Sequence, residues 1–219
     1  MGRTKSFDVA TIGAAALSVL DRDGLGGLTM RAVAEQLGTG PMTLYNYVDS
    51  REQLEALVVD AAFAEAKLPS PRSNDRWQQR VTRIGLALAD VIHAHPDVAP
   101  LVLTRQSMSP DVLRPAEALL EALSSSGLHG AQLLAAFRTV LATITGVIQA
   151  DVAGPMSQRR GHDKSQVLDR FASLDRAAYP RLVELSATAR TSTLAQELKA
   201  ALAIVIAGIE AGFESDEPR

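Results

Sequence analysis

The chain has 219 residues, with 22 basic and 25 acidic side chains and a net charge of −3, so nothing in its charge favours a nucleic-acid partner. It holds no cysteine, which excludes a disulfide framework and thiolate chemistry. With 47% hydrophobic but only 4% aromatic residues, Ala and Leu dominant and β-branched runs scarce, the composition reads as a globular all-α protein. Its length fits one large domain or a small one followed by a larger one. Met1 to Phe7 is polar and no apolar stretch with a cleavage site follows, so no signal peptide is expected. No apolar run reaches membrane-spanning length on this reading. Ala200 to Gly212 is short and contains Glu210. The expectation is a cytoplasmic protein with no membrane partner.

The spacing predicts a first helix from about Phe7 to Asp23, with Ser6 as its cap and Val9, Ile12, Ala16, Val19 and Leu20 inward. Asp23-Gly24 and Gly26-Gly27 end it. Arg3 and Lys5 lie ahead of it, as a solvated tail or as an arm that touches DNA. Thr29 then caps a second helix in which Ala32, Val33 and Leu37 share a face. Gly38 stands where a helix stops, because glycine takes the left-handed conformation without a Cβ clash. Pro41 suits the first turn of a third helix, about two turns long, whose apolar anchors are Leu44 and Val48. Met42, Thr43, Tyr45, Asn46 and Tyr47 are left outward. So short a helix is a poor core element and fits the DNA major groove, with hydroxyls and an amide for phosphates and base edges. Helix, tight turn, short helix is the helix-turn-helix pattern, although by spacing alone an ordinary helical hairpin fits equally well. Met1 to Arg51 carries five basic and five acidic residues, so DNA binding would rest on placed groups and not on a basic field.

Ser50 and Gln53 form a capping box that opens a fourth helix, about 51–67, with Leu54, Leu57, Val58, Ala61 and Ala62 inward. Leu68-Pro69-Ser70-Pro71 and the polar loop to Asp75 make the clearest boundary in the chain, so this helix is a connector. A fifth helix carries Trp77, Val81, Ile84, Leu88 and Val91 or Ile92 and ends at His93-Ala94-His95-Pro96. Those two histidines read as helix-end or loop residues, since they diverge on a helix and no third ligand lies close in sequence. A sixth helix spans Asp97 to about Gln106, with Val98, Leu101 and Val102 inward. A seventh spans Pro110 to about Ser125, closed by Gly127. The eighth, about Gly130 to Val152, is apolar on more than one face and needs partners on two sides. Met156 to Ser165 reads as a polar, basic loop. Tyr179-Pro180 opens a ninth helix through about Ala189. Ser192 or Thr193 opens a tenth to about Phe213, with Leu194, Leu198, Leu202, Val205, Ile206 and Ile209 on its apolar face and small residues such as Ala207 and Gly208 beside it. Ser215 to Arg219 reads as a frayed tail. Helices 8 and 10 carry more apolar surface than one small bundle absorbs, which marks an interface.

The runs Leu28-Thr29-Met30-Arg31-Ala32-Val33-Ala34, Leu37-Gly38, Thr43-Leu44-Tyr45-Asn46-Tyr47-Val48 and Ser50-Arg51-Glu52-Gln53-Leu54 resemble the DNA-binding domain of the tetracycline-repressor (TetR) family, from about Ile12 to Leu57. The later part of the chain resembles the tetracycline-repressor branch more loosely. The resemblance implies a helix-turn-helix domain at 1–50 and a larger helical ligand-binding and dimerisation domain at 51–219. It implies that Arg31, Pro41, Met42 and Asn46 meet bases and that Thr29, Thr43, Tyr45, Tyr47 and Arg51 meet phosphates of a double-stranded operator. It implies a homodimer through helices 8 and 10, as two-fold reading of half-sites requires. It also implies a small-molecule effector site in the C-terminal domain, for which Trp77, Leu88, Leu101, Thr104, Arg105, Met108, Leu113, Phe137, Val140 and Thr143 are the candidates. Leu103-Thr104-Arg105 is similar to a drug-contacting segment of the tetracycline repressor, but Val102 and Leu103 stand where that arrangement needs a histidine, so tetracycline itself is not the expected effector. No cofactor or metal is expected. The functional expectation is a repressor released from a palindromic operator by a largely hydrophobic effector. The alternative is a helical partner-binding protein without DNA activity. The four histidines lie near helix ends or loops with no nucleophile motif beside them, so an enzyme is not expected.

Overall fold

The computed structural model describes residues 6–70, 72, 74–105, 107–153 and 164–214. Arg3 and Lys5, most of the Met156–Ser165 segment, Gln106 and the tail from Ser215 fall outside the described residues. Among the described residues there are eleven α-helices, one 3-10 turn and no strand. The helices are α1 (Val9–Gly27), α2 (Met30–Leu37), α3 (Pro41–Leu44), α4 (Arg51–Ala64), α5 (Trp77–Ala94), α6 (Ala99–Thr104), α7 (Pro110–Ser124), α8 (Gly130–Ala153), α9 (Lys164–Ala172), α10 (Pro180–Thr191) and α11 (Leu194–Glu214), with the 3-10 turn at Pro96–Val98. The all-α expectation holds. The chain divides into two compact units, one of residues 1–68 and 90–118 and the other of residues 69–89 and 119–219. Compactness therefore groups the connector and residues 90–118 with the N-terminal helices, whereas the functional boundary was expected at residue 50.

In the first unit α1 packs on α4 and α2, and α2 on α3. Ile12, Ala16, Leu17, Val19, Leu20, Val33, Leu44, Val48, Leu54 and Val58 form its core. Val9, expected inward, is half exposed, because α1 begins at Val9 with Asp8 as its cap and so starts two residues after Phe7. The Asp8 carboxylate accepts from the Thr11 N–H at 2.7 Å, and the Thr11 hydroxyl first and this backbone bond second hold its pKa below the ordinary value. The helical path breaks at Gly24, as the glycine pattern anticipated. The sixth helix is shorter than the expected Asp97–Gln106. Pro96 and Pro100 confine its start to a 3-10 turn followed by Ala99–Thr104, and Arg105 leaves helical geometry in an extended conformation.

In the second unit α8 packs on α11 and α9 on α10. A Cβ on Gly85 of α5 would stand 3.0 Å from the Leu202 side chain and 3.3 Å from that of Ile144, so glycine there lets the three helices pack closely without those side chains giving way. Leu198, Leu202 and Ile206 of α11 and Val140, Ile144 and Ile148 of α8 are buried. Thr193 and Gln196 make a reciprocal cap at the start of α11. The expected ninth and tenth helices are thus α10 and α11, since α9 intervenes with Leu168 buried. The expectation that no run reaches membrane-spanning length is corrected at Gly130–Val152. By length and composition this segment is long and apolar enough to cross a membrane, with mean hydropathy 1.6. Thr139 and Thr143 of this helix donate their hydroxyls to the Ala135 and Thr139 carbonyls one turn back.

Candidate nucleic-acid interface

The helix-turn-helix is built by local chemistry. Thr29 caps α2 by accepting from the Ala32 N–H at 3.1 Å, a bond worth about 1 kcal/mol in such positions. Gly38 adopts φ 67°, and its N–H and that of Thr39 close the α2 terminus on the Glu35 and Ala34 carbonyls. Pro41 opens α3. The regular helix is one turn, shorter than the expected two. The chain continues to Val48 through tighter bonds, Asn46 N–H to Thr43 and Tyr47 N–H to Leu44. Leu44 and Val48 are fully buried, so burial of roughly 1.5–3 kcal/mol each pins an otherwise exposed segment.

That pinning presents Pro41, Met42, Tyr45 and Asn46 to solvent, with Met42 77% exposed. Thr43 and Tyr47 are half-buried. The Tyr47 hydroxyl accepts from the Phe7 N–H at 3.4 Å, which leaves its own proton free to donate. Thr29 is exposed, its hydroxyl oxygen already serving as the cap. Arg31 is exposed and pairs with Glu35 at 3.1 Å, an exposed i,i+4 pair that costs little to open.

Arg51 differs from these. Its Nε donates to Glu55 at 2.8 Å and its Nη2 to the Leu25 carbonyl at 2.8 Å. Glu55, 4% exposed at its side chain, also accepts from Arg105 Nε at 2.6 Å and Nη2 at 2.5 Å. One buried carboxylate therefore serves two arginines fifty-four residues apart. Glu52 lies nearby with its carboxyl below the usual range. The causes are its own backbone N–H and the Ser50 hydroxyl first, then the charges of Arg105 and Arg51. Five residues beyond Glu55 on α4, Asp60 accepts from the Ser107 and Ser109 hydroxyls, the latter at 2.8 Å. His95, read as a helix-end residue, has Asp21 at 2.8 Å and Glu65 at 3.2 Å from its ring nitrogens. Sequence reasoning placed neither Glu55 nor these partners, because an acid on an amphipathic helix reads as solvated.

The ten effector candidates divide evenly between the units. Leu101, Thr104, Arg105, Met108 and Leu113 fall in the first, and Trp77, Leu88, Phe137, Val140 and Thr143 in the second. Leu88, Leu101 and Val140 are buried, while Met108 and Leu113 are exposed and Trp77 and Phe137 half-buried. Thr104 and Thr143 bond to their own helices' carbonyls, and Arg105 is committed to Glu55. A groove of about 870 Å³ between α1 and α4 in the first unit, and one of about 600 Å³ beside α5 and α11 in the second, are lined by none of the ten.

A capped α2, a left-handed glycine turn and a probe helix held by two buried anchors define a helix-turn-helix DNA-binding protein. Residues 12–56 match the family described as bacterial regulatory proteins, tetR family. Residues 69–213 match the tetracyclin repressor-like C-terminal domain. The chain belongs to the TetR family of transcriptional regulators, whose members are ligand-responsive DNA-binding proteins that form dimers. It is 32% identical over 162 residues to an HTH-type transcriptional regulator of Saccharopolyspora erythraea, covering 71% of this chain and 68% of that one. It is 26% identical to the HTH-type transcriptional repressor DrrR1 of Streptomyces coeruleorubidus, covering 83% and 65%. Among solved structures it resembles the TetR family protein ActR of Streptomyces coelicolor in complex with (S)-DNPA. That likeness has a TM-score of 0.79 and 27% identity and covers 95% of this chain and all of that one. The match with DrrR1 thus spans just under two-thirds of that repressor's length.

Proposed function

We propose that the chain is a cytoplasmic, non-enzymatic repressor that reads a palindromic operator as a homodimer and releases it on binding a small, largely hydrophobic effector. The observation that carries this is the outward set on α3 and the segment that follows it, pinned by Leu44 and Val48. Pro41, Met42 and Asn46, with Arg31 of α2, face bases, and Thr29, Thr43, Tyr45 and Tyr47 face phosphates. Arg31 leaves Glu35 for a base edge, and Tyr47 donates to phosphate while Phe7 holds its oxygen. Arg51 is the conditional member of the set, since Glu55 holds it in this structure.

The reader is residues 1–50, the regulatory and dimerising part is 51–219, and α4 joins them. Pairing runs through α8 and α11. Ile204 is 75% exposed, Ala207 and Gly208 are open beside it, and Leu134 and Leu141 of α8 are exposed. Apolar helix surface of this extent is suited to a second copy. Two-fold pairing places the readers on half-sites one helical turn, about 34–36 Å, or a multiple apart.

ActR was solved with a small molecule, and an effector role is carried over to this chain on that likeness. An effector controls DNA only through different affinities for the two reader arrangements, and a coupling of about 1–3 kcal/mol releases the operator roughly 5–150-fold. In the first unit the segment from Thr104 to Pro110 is the one an effector must move, because Glu55 and Asp60 of α4 grip it at Arg105, Ser107 and Ser109. Phe137 and Thr143 of the second unit remain effector candidates, each tested by its own substitution. A gel shift with the DNA flanking the chain's own gene, against random duplex, tests the reading. A specific shift supports it, equal binding to both duplexes contradicts operator reading, and binding to neither favours the partner-binding alternative.

A further inference from the structure

Resting on that DNA-reading proposal, we propose that Glu55 is a charge-sharing hub: Arg105 and Arg51 share its carboxylate, so the state of Arg105 sets how freely Arg51 meets a DNA phosphate. The geometry is specific. Glu55 Oε1 takes Arg51 Nε at 2.8 Å, and Oε2 takes Arg105 Nε and Nη2 at 2.6 and 2.5 Å. Glu55 is buried, so its charge has no water to answer it and must be met by these two cations. Arg51 is different in kind. Its side chain is 50% exposed at the first position of α4, directly after the probe segment, and its Nη2 is tethered only to the Leu25 carbonyl. Arg105, 29% exposed, ends α6 and has the Thr104 carbonyl as its other partner.

With Arg105 in place, Glu55 is largely neutralised and Arg51 keeps positive charge to spend on phosphate. When Arg105 is drawn away, the whole carboxylate falls on Arg51, which is then neutralised beside a carboxylate that repels phosphate. Glu52, at the first turn of α4 and within the field of both arginines, adds to that repulsion. Among effector chemistries, one bearing a carboxylate, phenolate or other anion suits Arg105 and would switch the reader by electrostatics, in addition to any tilt of α4. Arg105 thus acts on DNA without touching it, as a positioning residue.

The test needs no effector. A duplex enriched by the wild-type protein from a random pool is titrated at several salt concentrations with wild type, Glu55→Gln, Arg105→Met, Arg51→Gln and the doubles. Each phosphate contact contributes about 0.9 to the log–log salt slope. Glu55→Gln is expected to bind more tightly with a slope steeper by up to about 0.9 per reader, and Arg105→Met more weakly with a shallower slope. Both differences should vanish in the Arg51→Gln background. If Glu55 were only a structural brace, Glu55→Gln and Arg105→Met would weaken binding in the same direction with the slope unchanged, and the proposal is overturned. It is equally overturned if the effects persist without Arg51. Should Glu55→Gln fail to fold, Arg105→Met with and without Arg51 decides between the same two outcomes. Failure of the wild type to enrich any duplex would instead defeat the DNA-reading proposal on which this one stands.

Discussion

The two compact units solve different problems with different materials. The first, residues 1–68 and 90–118, fixes its geometry with polar devices: the Asp8, Thr29 and Ser50 caps, Glu55 between two arginines, Asp60 on two serines and His95 between two acids. The second, residues 69–89 and 119–219, rests largely on apolar helix packing and leaves Ile204, Leu134 and Leu185 exposed. Directional bonds suit a part that must hold donors to within tenths of an ångström. Non-directional apolar area suits the pairing with another copy that we propose for the second unit. The exposed apolar residues of α8 and α11, and Pro41, Met42, Tyr45 and Asn46 on α3 and the segment after it, are the two surfaces we propose for different partners.

The contrast is broken most severely at α11. Ile204→Asp or Gly208→Arg should give monomers by sedimentation and, with the second reader lost, about 10²–10⁴-fold weaker operator binding. Ile204 suits this better than its neighbour Ile206, which is buried within the unit. A variant that still sediments as a dimer and binds normally would move the interface elsewhere.

Within the first unit, anchors and probe residues should separate cleanly. Leu44→Ala is expected to cost about 2–5 kcal/mol of folding stability in thermal or denaturant melts, since its side chain is fully buried. Met42→Ala should leave the melt within about 0.5 kcal/mol while weakening DNA binding. Equal melts for the two would show that α3 is not pinned as described.

Arg31→Ala should lose about 1–3 kcal/mol on the cognate duplex and less on random DNA, which sharpens the distinction between base and phosphate contacts. Equal losses on both would make Arg31 a phosphate contact only.

The smallest effect is at the Asp8 cap. The Thr11 bonds depress its pKa in the folded protein below the ordinary 3.8. Its contribution is therefore fully present above pH 3.8 and is lost as pH falls through the depressed value. Asp8→Asn should flatten that part of the acid-unfolding profile and change nothing at neutral pH beyond a slightly weaker cap. A profile identical to wild type at low pH would remove the cap from the account.

Local devices were legible because their partners are neighbours in sequence. Thr29 with Ala32, Gly38, Pro41, Ser50 with Gln53, and the Leu44–Val48 pair all fall where spacing puts them. Glu55 was not legible, since its burial depends on Arg105 fifty residues on, and a lone acid at such a position is ordinarily solvated. His95 likewise depends on Asp21, seventy-four residues away. The short α9 escaped because Val167, Leu168 and Phe171 give too brief an apolar stripe to separate from the polar stretch before it. Val9 shows the opposite failure: an apolar side chain at the right period, left half exposed because it begins the helix.

The central claim is that α2 and α3, presented twice by a dimer, read an inverted repeat. Selection of duplexes from a random pool by the purified protein, followed by sequencing, tests it most directly. The account predicts enrichment of a two-fold symmetric site with half-sites about one helical turn or a multiple apart, its symmetry-related positions degraded in parallel by Arg31→Ala. Enrichment of no sequence, or of an asymmetric site indifferent to Arg31, would contradict it.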